Sequence, residues 1–293
     1  MKKGSKDFQD KVFKTIEKYR LVKNGDVILV GLSGGKDSIT TLDILLKYTQ
    51  NNHINAKIVG YHINLGFGYS DRLEKFILET CRSFGIECII SRVMDYGLDL
   101  LKISKIKRRP VCSLCGQVKR YLMNKIPRDH GATKFATGHH VDDFLMFYFK
   151  NFIYKNFEWS FKMLPKVKSK NPKLLTKIRP LIFTTSKEIL EYATSNGLPI
   201  FPETCPYSLG GGCLTDPKTI KFAELVESAN NIVENFKVEM MHSIVLFNKK
   251  YAHLLIEDNS LKSCRICGEP TSGDTCSFCR LLEFAKKVEN KNP

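Results

Sequence analysis

The sequence has no hydrophobic run long enough to span a bilayer. Its apolar stretches, such as "DVILVGL" at 26–32, are far shorter than the roughly 20 residues of a membrane helix. The N-terminal segment is basic and amphipathic, and it lacks the continuous apolar core and the cleavage site of a signal peptide. We therefore expect a cytoplasmic protein with no membrane partner.

Acidic residues are few relative to basic ones, since 46 Lys and Arg face 30 Asp and Glu and give a net charge of +16. Two tracts contain no acid at all: 102–109 has five basic residues and 161–179 has seven. Such clusters can be ordinary solvated surface, or they can neutralise nucleic-acid phosphates and release condensed counterions. We expect a nucleic-acid partner.

Cysteine is absent from the first 80 residues, but ten cysteines follow. Without a secretory signal a disulfide framework is not expected, and grouped cysteines more often bind metal. Cys81 and Cys88 stand alone and are expected to pack in the core. The others form groups, which are the pair Cys112 and Cys115, the loop residues Cys205 and Cys213, and the quartet Cys264, Cys267, Cys276 and Cys279.

Apolar strand-like and amphipathic helix-like segments alternate along the first half of the chain. Strands are predicted at 26–32, 56–66, 86–95 and 134–140, a helix follows the cysteine pair at 117–131, and 163–180 is predicted to be an exposed loop. The alternation predicts an α/β fold with a doubly wound parallel sheet. The predicted domains are an N-terminal helix at 1–22, a nucleotide-binding catalytic domain at 23–215, a helical extension at 216–260 and a zinc-binding module at 261–285.

The segment "GLSGGKDS" at 31–38 joins the first strand to its helix. Glycines allow a tight turn whose N–H groups, together with the helix N-terminus, can bind an anion. The spacing of the Walker phosphate loop is absent. An acid beside a phosphate implies an intervening cation, so Mg²⁺ is expected there. The predicted nucleotide-binding residues of the loop are Gly31, Ser33, Gly34, Gly35, Lys36, Asp37 and Ser38.

The C-terminal quartet consists of two Cys-x-x-Cys knuckles separated by eight residues. Four thiolates at this spacing favour a closed tetrahedral zinc site with a structural role. An iron–sulfur cluster or unligated thiols are the alternatives.

The pair Cys112 and Cys115 allows three interpretations. It can be part of a metal cluster, a redox couple or two core thiols. In a cluster, Cys205 or Cys213 would provide a further ligand. The spacing alone does not choose among these three.

Six motifs occur in a fixed order from about residue 7 to 285: "GLSGGKDS", "GYHINLGFGYS", "CSLCGQVKRYLMN", "ATGHHVDD", "ETCPYS" and "CRICGEPTSGDTCSFCR". Together they resemble the TtuA-type tRNA 2-thiouridine synthetases, which are PP-loop ATP pyrophosphatases related to the TtcA cytidine thiolases. The resemblance implies ATP in the glycine loop, a 4Fe-4S cluster on Cys112, Cys115 and Cys205, and zinc at the C-terminal quartet.

The same resemblance implies roles for further residues. Lys119 and Asp143 correspond to catalytic positions, although a plain helix cation and a helix N-terminal acid are the simpler interpretations. His62, Ile63 and Gly138 correspond to nucleotide contacts. His140 replaces a residue that is usually Asn, and the N-terminal zinc finger of the family has no counterpart because no cysteine precedes Cys81.

The function that the resemblance implies is ATP-dependent replacement of the 2-oxo oxygen of a tRNA base by sulfur, giving 2-thiouridine in the T-loop. The implied sulfur donor is a ubiquitin-like thiocarboxylate protein or sulfide, and the implied assembly is a homodimer. The alternatives are a wobble-uridine or cytidine thiolase, a PP-loop enzyme acting on a small molecule, and a zinc-containing RNA-binding protein without catalysis.

Overall fold

The structure, a computed structural model, describes residues 3–168, 171–207, 217–255 and 261–289. The strands are β1 (Val27–Gly31), β2 (Lys57–Asn64), β3 (Cys88–Arg92), β4 (Lys134–Ala136), β5 (Lys166–Val167), β6 (Thr176–Ile178), β7 (Lys262–Ser263) and β8 (Pro270–Thr271). The helices are α1 (Lys3–Lys18), α2 (Lys36–Asn51), α3 (Gly68–Ser83), α4 (Leu100–Lys107), α5 (Val111–Asp129), α6 (Val141–Ile153), α7 (Phe157–Ser160), α8 (Ser186–Ser195), α9 (Pro217–Ile232), α10 (Phe236–Leu255) and α11 (Ser277–Glu289).

Six strands form one sheet in the order β3-β2-β1-β4-β6-β5, and only the edge pair β5–β6 is antiparallel. The predicted doubly wound parallel sheet is therefore confirmed. The chain moves outward from β1 through β2 to β3 and then returns to the other side of β1 with β4. The carboxyl ends of β1 and β4 thus form the switch point at which open α/β sheets bind ligands.

Alternate residues of the strands face two different cores. Ile28, Val30 and Ile178 pack in a core with α1, α2, α3 and α8. Leu29, Tyr61 and Phe135 pack on the opposite face with α4, α5 and α11. Both faces of the central strands are covered, which explains why β1 is apolar throughout rather than alternating.

The C-terminal cysteine module packs against α5. The rings of Tyr121 and Phe278 stack with centroids 4.0 Å apart and an angle of 6° between their planes. Arg128 donates two hydrogen bonds, of 2.6 and 2.8 Å, to the buried carboxylate of Glu269. The boundaries of the predicted domains stay predictions, but this module shares a hydrophobic core with the sheet.

Two local predictions are wrong. The helix expected at 117–131 begins at Val111, so both Cys112 and Cys115 lie inside its first two turns. The segment 163–180, expected to be an exposed loop, contains β5 and β6, and Ile178 is fully buried. None of the described helices is long and apolar enough to cross a membrane.

Candidate active site

The glycine loop follows β1 as predicted and runs directly into α2. Gly34 adopts a φ of +79°, which is unfavourable for a side chain, and the next residue, Gly35, is the N-cap of α2. The buried Ser38 hydroxyl accepts a 3.1 Å bond from the backbone N–H of Ser33 and donates a 2.9 Å bond to the Gly35 carbonyl. The loop is thereby closed on itself with its N–H groups at a helix N-terminus, which suits an anionic ligand.

Gly138, after β4, presses against this loop. A Cβ built at Gly138 would lie 2.7 Å from both the carbonyl carbon and the carbonyl oxygen of Asp37, and 3.0 Å from the Ser38 nitrogen. These are backbone atoms that cannot rotate away. Only glycine therefore permits β4 and the first turn of α2 to approach this closely.

His62 has a buried ring nitrogen with no partner. Its Nδ1 lies 2.8 Å from the carbonyl oxygen of Leu32, so Nδ1 holds the proton and donates it. Nε2 is buried without a hydrogen-bond partner, and burial lowers the pKa of the imidazole, so this nitrogen is an acceptor. The exocyclic amine of an adenine base would satisfy it, which fits the predicted nucleotide role. Ile63, in contrast, is a buried core residue.

Three carboxylates surround His140, which is the N-cap of α6. Its Nε2 lies 3.6 Å from oxygens of both Asp37 and Asp143, and its Nδ1 lies 3.2 Å from Asp142. Burial alone would lower the pKa of His140, but Asp142 and the other two carboxylates outweigh it and raise the pKa. Asp37 also pairs with Lys36 at 2.8 Å, and Asp143 accepts a 3.2 Å bond from the His140 backbone N–H. Carboxylate oxygens are ligands that Mg²⁺ prefers, but a bound ion would have to replace or share these partners.

Asp142 links this acidic edge to the helical extension. One of its oxygens accepts a 2.7 Å bond from Lys237 of α10, and the other accepts a 2.7 Å bond from the Ser186 N–H at the start of α8. Lys237 also pairs with Glu227 of α9. Burial would raise the pKa of Asp142, but its hydrogen bonds from His140, Lys237 and Ser186 leave it lowered.

The first turns of α5 bring Cys112 and Cys115 to the sheet edge that also holds the glycine loop. Cys112 Sγ donates a 3.3 Å hydrogen bond to the Tyr207 carbonyl, which lies two residues beyond Cys205. Cys115 is buried, and burial raises the pKa of its thiol to about 11 although Lys119 opposes the rise. The thiols of Cys112 and Cys205 also raise this pKa, so the three predicted ligands lie in one neighbourhood.

An ion pair holds the segment of Cys205 in place. Arg72 of α3 donates bonds of 2.7 and 2.5 Å to the two carboxylate oxygens of Glu203. The backbone N–H of Phe201 donates a 2.9 Å bond to the carbonyl of Gly34. The 201–207 segment therefore touches the glycine loop at one end and α5 at the other. Cys213 lies outside the described residues.

Lys119 lies on α5 one turn beyond Cys115. Its charge lowers the pKa of Cys115, and it also contributes to lowering that of His62 after the larger effect of burial. Lys119 is thus close to both the cysteine group and the unsatisfied imidazole. The predicted cluster ligands and nucleotide contacts converge on this one lysine.

The four C-terminal cysteines form a compact donor set. Their sulfur atoms all lie within 4.8 Å of one another, and among the described residues this is the group that fits a single metal ion. Burial would raise the pKa of Cys264, but backbone N–H groups of Cys267 and Cys276 bring it down to about 6. A stabilised thiolate in a closed group of four sulfurs fits Zn²⁺.

The chain matches the PP-loop domain family over residues 5–203. It is 36% identical over 288 residues to tRNA-5-methyluridine(54) 2-sulfurtransferase of Pyrococcus horikoshii, covering 97% of this chain and 87% of the relative. The enzyme of the same name from Thermotoga maritima is 30% identical over 293 residues, with coverage of 97% and 90%. This chain belongs to the tRNA 2-sulfurtransferases of the PP-loop family.

A solved structure agrees with this family assignment. The U34-tRNA thiolase NcsA from Methanococcus maripaludis, with its 4Fe-4S cluster, superimposes with a TM-score of 0.76 at 25% identity, covering 97% of this chain and 87% of NcsA. The roles of individual residues in this tRNA 2-sulfurtransferase stay predictions.

Sequence reasoning missed three contributors to the site. The ion pair of Arg72 with Glu203 and the docking of Tyr121 on the cysteine module join residues more than 130 positions apart, which no local pattern indicates. Lys177 falls within the 161–179 tract expected to bind nucleic acid, but its position on a strand was missed because the segment was interpreted as a loop. Leu175 and Lys177 are two residues apart and share one face of a strand, which was the signal that could have placed this cation on the face toward α5.

We expect Gly138→Ala to weaken ATP binding at least about tenfold, because the added methyl group must displace the backbone that shapes the glycine loop. Isothermal titration calorimetry with ATP measures the change. Gly273→Ala is the matched control, since a Cβ there would meet no atom within 4 Å. Equal ATP affinity in Gly138→Ala and wild type would show that this close contact does not shape the nucleotide site.

Proposed function

We propose that this protein is an ATP-dependent tRNA thiolase that replaces the 2-oxo oxygen of a uridine by sulfur. The observation that supports this most is the position of α5. It brings Cys112, Cys115 and Lys119 to the same sheet edge as the glycine loop, so that nucleotide activation and sulfur transfer can take place in one cleft.

The loop residues bind and orient ATP in the first step. Backbone N–H groups at 33–38 and the N-terminus of α2 bind phosphate oxygens, and His62 Nε2 accepts a hydrogen bond from the base. Asp37 and Asp143 would hold Mg²⁺, which would offset the charge of the phosphates. The O2 atom of the uridine attacks the α-phosphorus, which forms an O–P bond and breaks the bond to the leaving pyrophosphate. Lys119 offsets the negative charge of the phosphates in this step.

Three thiolates, those of Cys112, Cys115 and Cys205, would hold the cluster. A cubane cluster bound in this way has one iron without a protein ligand, which can bind sulfide. The grouping of three cysteines around the first turns of α5 fits this donor set. Burial raises the pKa of the Cys115 thiol, so its ionisation as a cluster ligand would require the compensating positive charge of the metal.

The second step exchanges oxygen for sulfur. Hydrosulfide forms a bond to C2 of the adenylated uridine, the C2–O2 bond breaks, and AMP leaves with the former base oxygen. The proton of hydrosulfide is released to solvent or to a nearby base. No electrons are gained or lost overall, so the reaction needs no oxidant or reductant. A ubiquitin-like thiocarboxylate protein or free sulfide stays the predicted donor.

The relatives named for methyluridine 54 support a T-loop position for the target base. The second candidate is thiolation of wobble uridine, which is favoured by the structural likeness to the U34 thiolase. Mass spectrometry of digested tRNA fragments locates the thiolated nucleotide and separates the two. The cytoplasmic location and the homodimer stay predictions.

The cysteine assignment predicts a specific pattern of cluster loss. Protein purified without oxygen should contain iron and acid-labile sulfide, and Cys112→Ala, Cys115→Ala and Cys205→Ala should each lose most of both together with tRNA thiolation. Cys88→Ala, on β3, is the matched control and should retain them. Thiolation by a wild-type protein that stays free of iron after reconstitution would instead favour a redox pair at 112 and 115.

We further propose that the C-terminal quartet binds structural Zn²⁺. Cys276→Ala should lose about one zinc per chain, because a closed four-sulfur site leaves no substitute ligand. It should also lower thermal stability, since Phe278 would no longer be held against Tyr121. Metal analysis by plasma mass spectrometry measures the zinc, with Cys88→Ala again as the control. Iron in place of zinc at these four cysteines would contradict the assignment.

A further inference from the structure

Three of the seven cations in the 161–179 tract bond to the protein's own backbone. Lys166, Lys173 and Arg179 each donate hydrogen bonds to backbone carbonyl groups from neighbouring segments. The acceptors are Arg20 for Lys166, Gly268 for Lys173, and Lys162 and Leu164 for Arg179. These three hydrogen-bonding cations connect the tract to neighbouring segments and to the cysteine module. Because they are already engaged, they are less available to a ligand than a cation without a partner.

Lys177 is different. It lies half-buried on β6, and among the described residues its amine has neither a carbonyl nor a carboxylate within hydrogen-bonding distance. Burial lowers its pKa, and its charged neighbours Arg179, Lys162 and Arg120 lower it further. Several cations close to one ammonium group repel it, and this repulsion destabilises the charged form of Lys177. A bound anion would offset the repulsion.

The register between β6 and α5 shows where Lys177 points. Asn124 of α5 accepts a 3.0 Å bond from the Leu175 N–H and donates a 2.7 Å bond to the Lys173 carbonyl. Lys177 lies two residues further along the strand, about 7 Å away, and side chains two apart share a face. Arg120 lies one helical turn nearer the N-terminus of α5, about 6 Å from Asn124. Lys177 and Arg120 therefore lie on the same side of the Asn124 contact, and the Arg120 guanidinium extends along α5 to Gly116, where a Cβ would lie 3.3 Å from its Nη1.

Lys162 completes the group. Its backbone carbonyl accepts the 2.8 Å bond from Arg179, which places it beside the end of β6. Its amine lies 5.0 Å from the ring centroid of Trp159, the single tryptophan of the sequence, which is 61% exposed. An exposed indole beside cations suits nucleic acid, because bases stack on aromatic rings while cations bind the phosphates.

We propose that Arg120, Lys162 and Lys177 form a binding site for a phosphodiester group of the RNA substrate, with Trp159 available to stack on a neighbouring base. The identification of the ligand as RNA rests on the proposed function. The Arg120 guanidinium lies against Gly116, the residue after Cys115, so a nucleotide whose phosphate binds here has its base within reach of the cysteine group. The site would position the strand that contains the target uridine.

The phosphates of ATP are a less suitable occupant. The glycine loop already offers ATP a set of backbone N–H groups at the end of β1, two strands away from β6. Trp159 lies in α7, beyond α6, so it would serve no purpose for a triphosphate bound at the glycine loop. The location and the aromatic neighbour therefore favour RNA over the nucleotide.

The test measures binding of an unmodified tRNA transcript over a series of salt concentrations, without ATP or a sulfur donor. Lys177→Met keeps the apolar stem of the side chain and should reduce the slope of log affinity against log salt by about one. Lys177→Arg should restore the slope. Lys57→Met is the control, because Lys57 lies at the amino end of β2, three strands away from β6. Trp159 fluorescence should report tRNA binding in the wild type.

An unchanged salt slope in a folded Lys177→Met protein would overturn the proposal, and unfolding temperatures establish that the variant is folded. Weakened ATP binding with an unchanged tRNA slope would also overturn it and assign the cation to the nucleotide. A wild-type protein that binds tRNA but forms no thiolated nucleotide would contradict the proposed function while leaving this binding test valid.

Discussion

The packing of α5 between the parallel sheet and the C-terminal cysteine module is the interaction on which the proposed site depends. Val118 and Leu122 are fully buried against the sheet, while Tyr121 and Arg128 contact the module on another side of the helix. A helix behaves as a rigid rod over four turns, so contacts along its second half fix the position of Cys112 and Cys115 in its first half. The four-cysteine module therefore helps to position the first turns of α5.

Carboxylates and their basic partners gather at the carboxyl ends of β1 and β4. Asp37, Asp142 and Asp143 converge on His140, while Lys36 pairs with Asp37 and Lys237 pairs with Asp142. Lys119 lies on α5 and Lys177 lies on β6. Under the proposed function, ATP bound at the glycine loop and an RNA strand bound near α5 and β6 would meet between these two groups of residues.

Short sequence motifs predicted those parts of the site that are formed by consecutive residues. "GLSGGKDS" predicts a strand, a turn and a helix, and β1, the loop and α2 follow that order. The start of α5 was not predictable in this way, because Pro110 at its N-cap offers no side-chain hydrogen bond. His62 gives no signal as a single strand residue, and only the family resemblance pointed to it. The structure adds a physical reason, which is its buried ring nitrogen without a partner.

Contacts distant in sequence account for what remained unpredicted. The segment of Cys205 contacts α3 through the exposed ion pair of Glu203 with Arg72, and the cysteine module contacts α5 through the ion pair of Glu269 with Arg128. Neither pair has a spacing that a helix or strand period would reveal. The motifs predict a set of site residues, and their relative positions required the tertiary structure.

The most direct test of the account follows the oxygen atom that sulfur replaces. A tRNA transcript labelled with oxygen-18 at the 2-oxo position of its uridines would be incubated with the cluster-containing protein, ATP and sulfide, and the AMP analysed by mass spectrometry. Adenylation of the base predicts that one labelled oxygen appears in AMP for each thiolated uridine formed. Thiolation accompanied by unlabelled AMP would contradict activation of the base oxygen and would exclude the proposed chemistry.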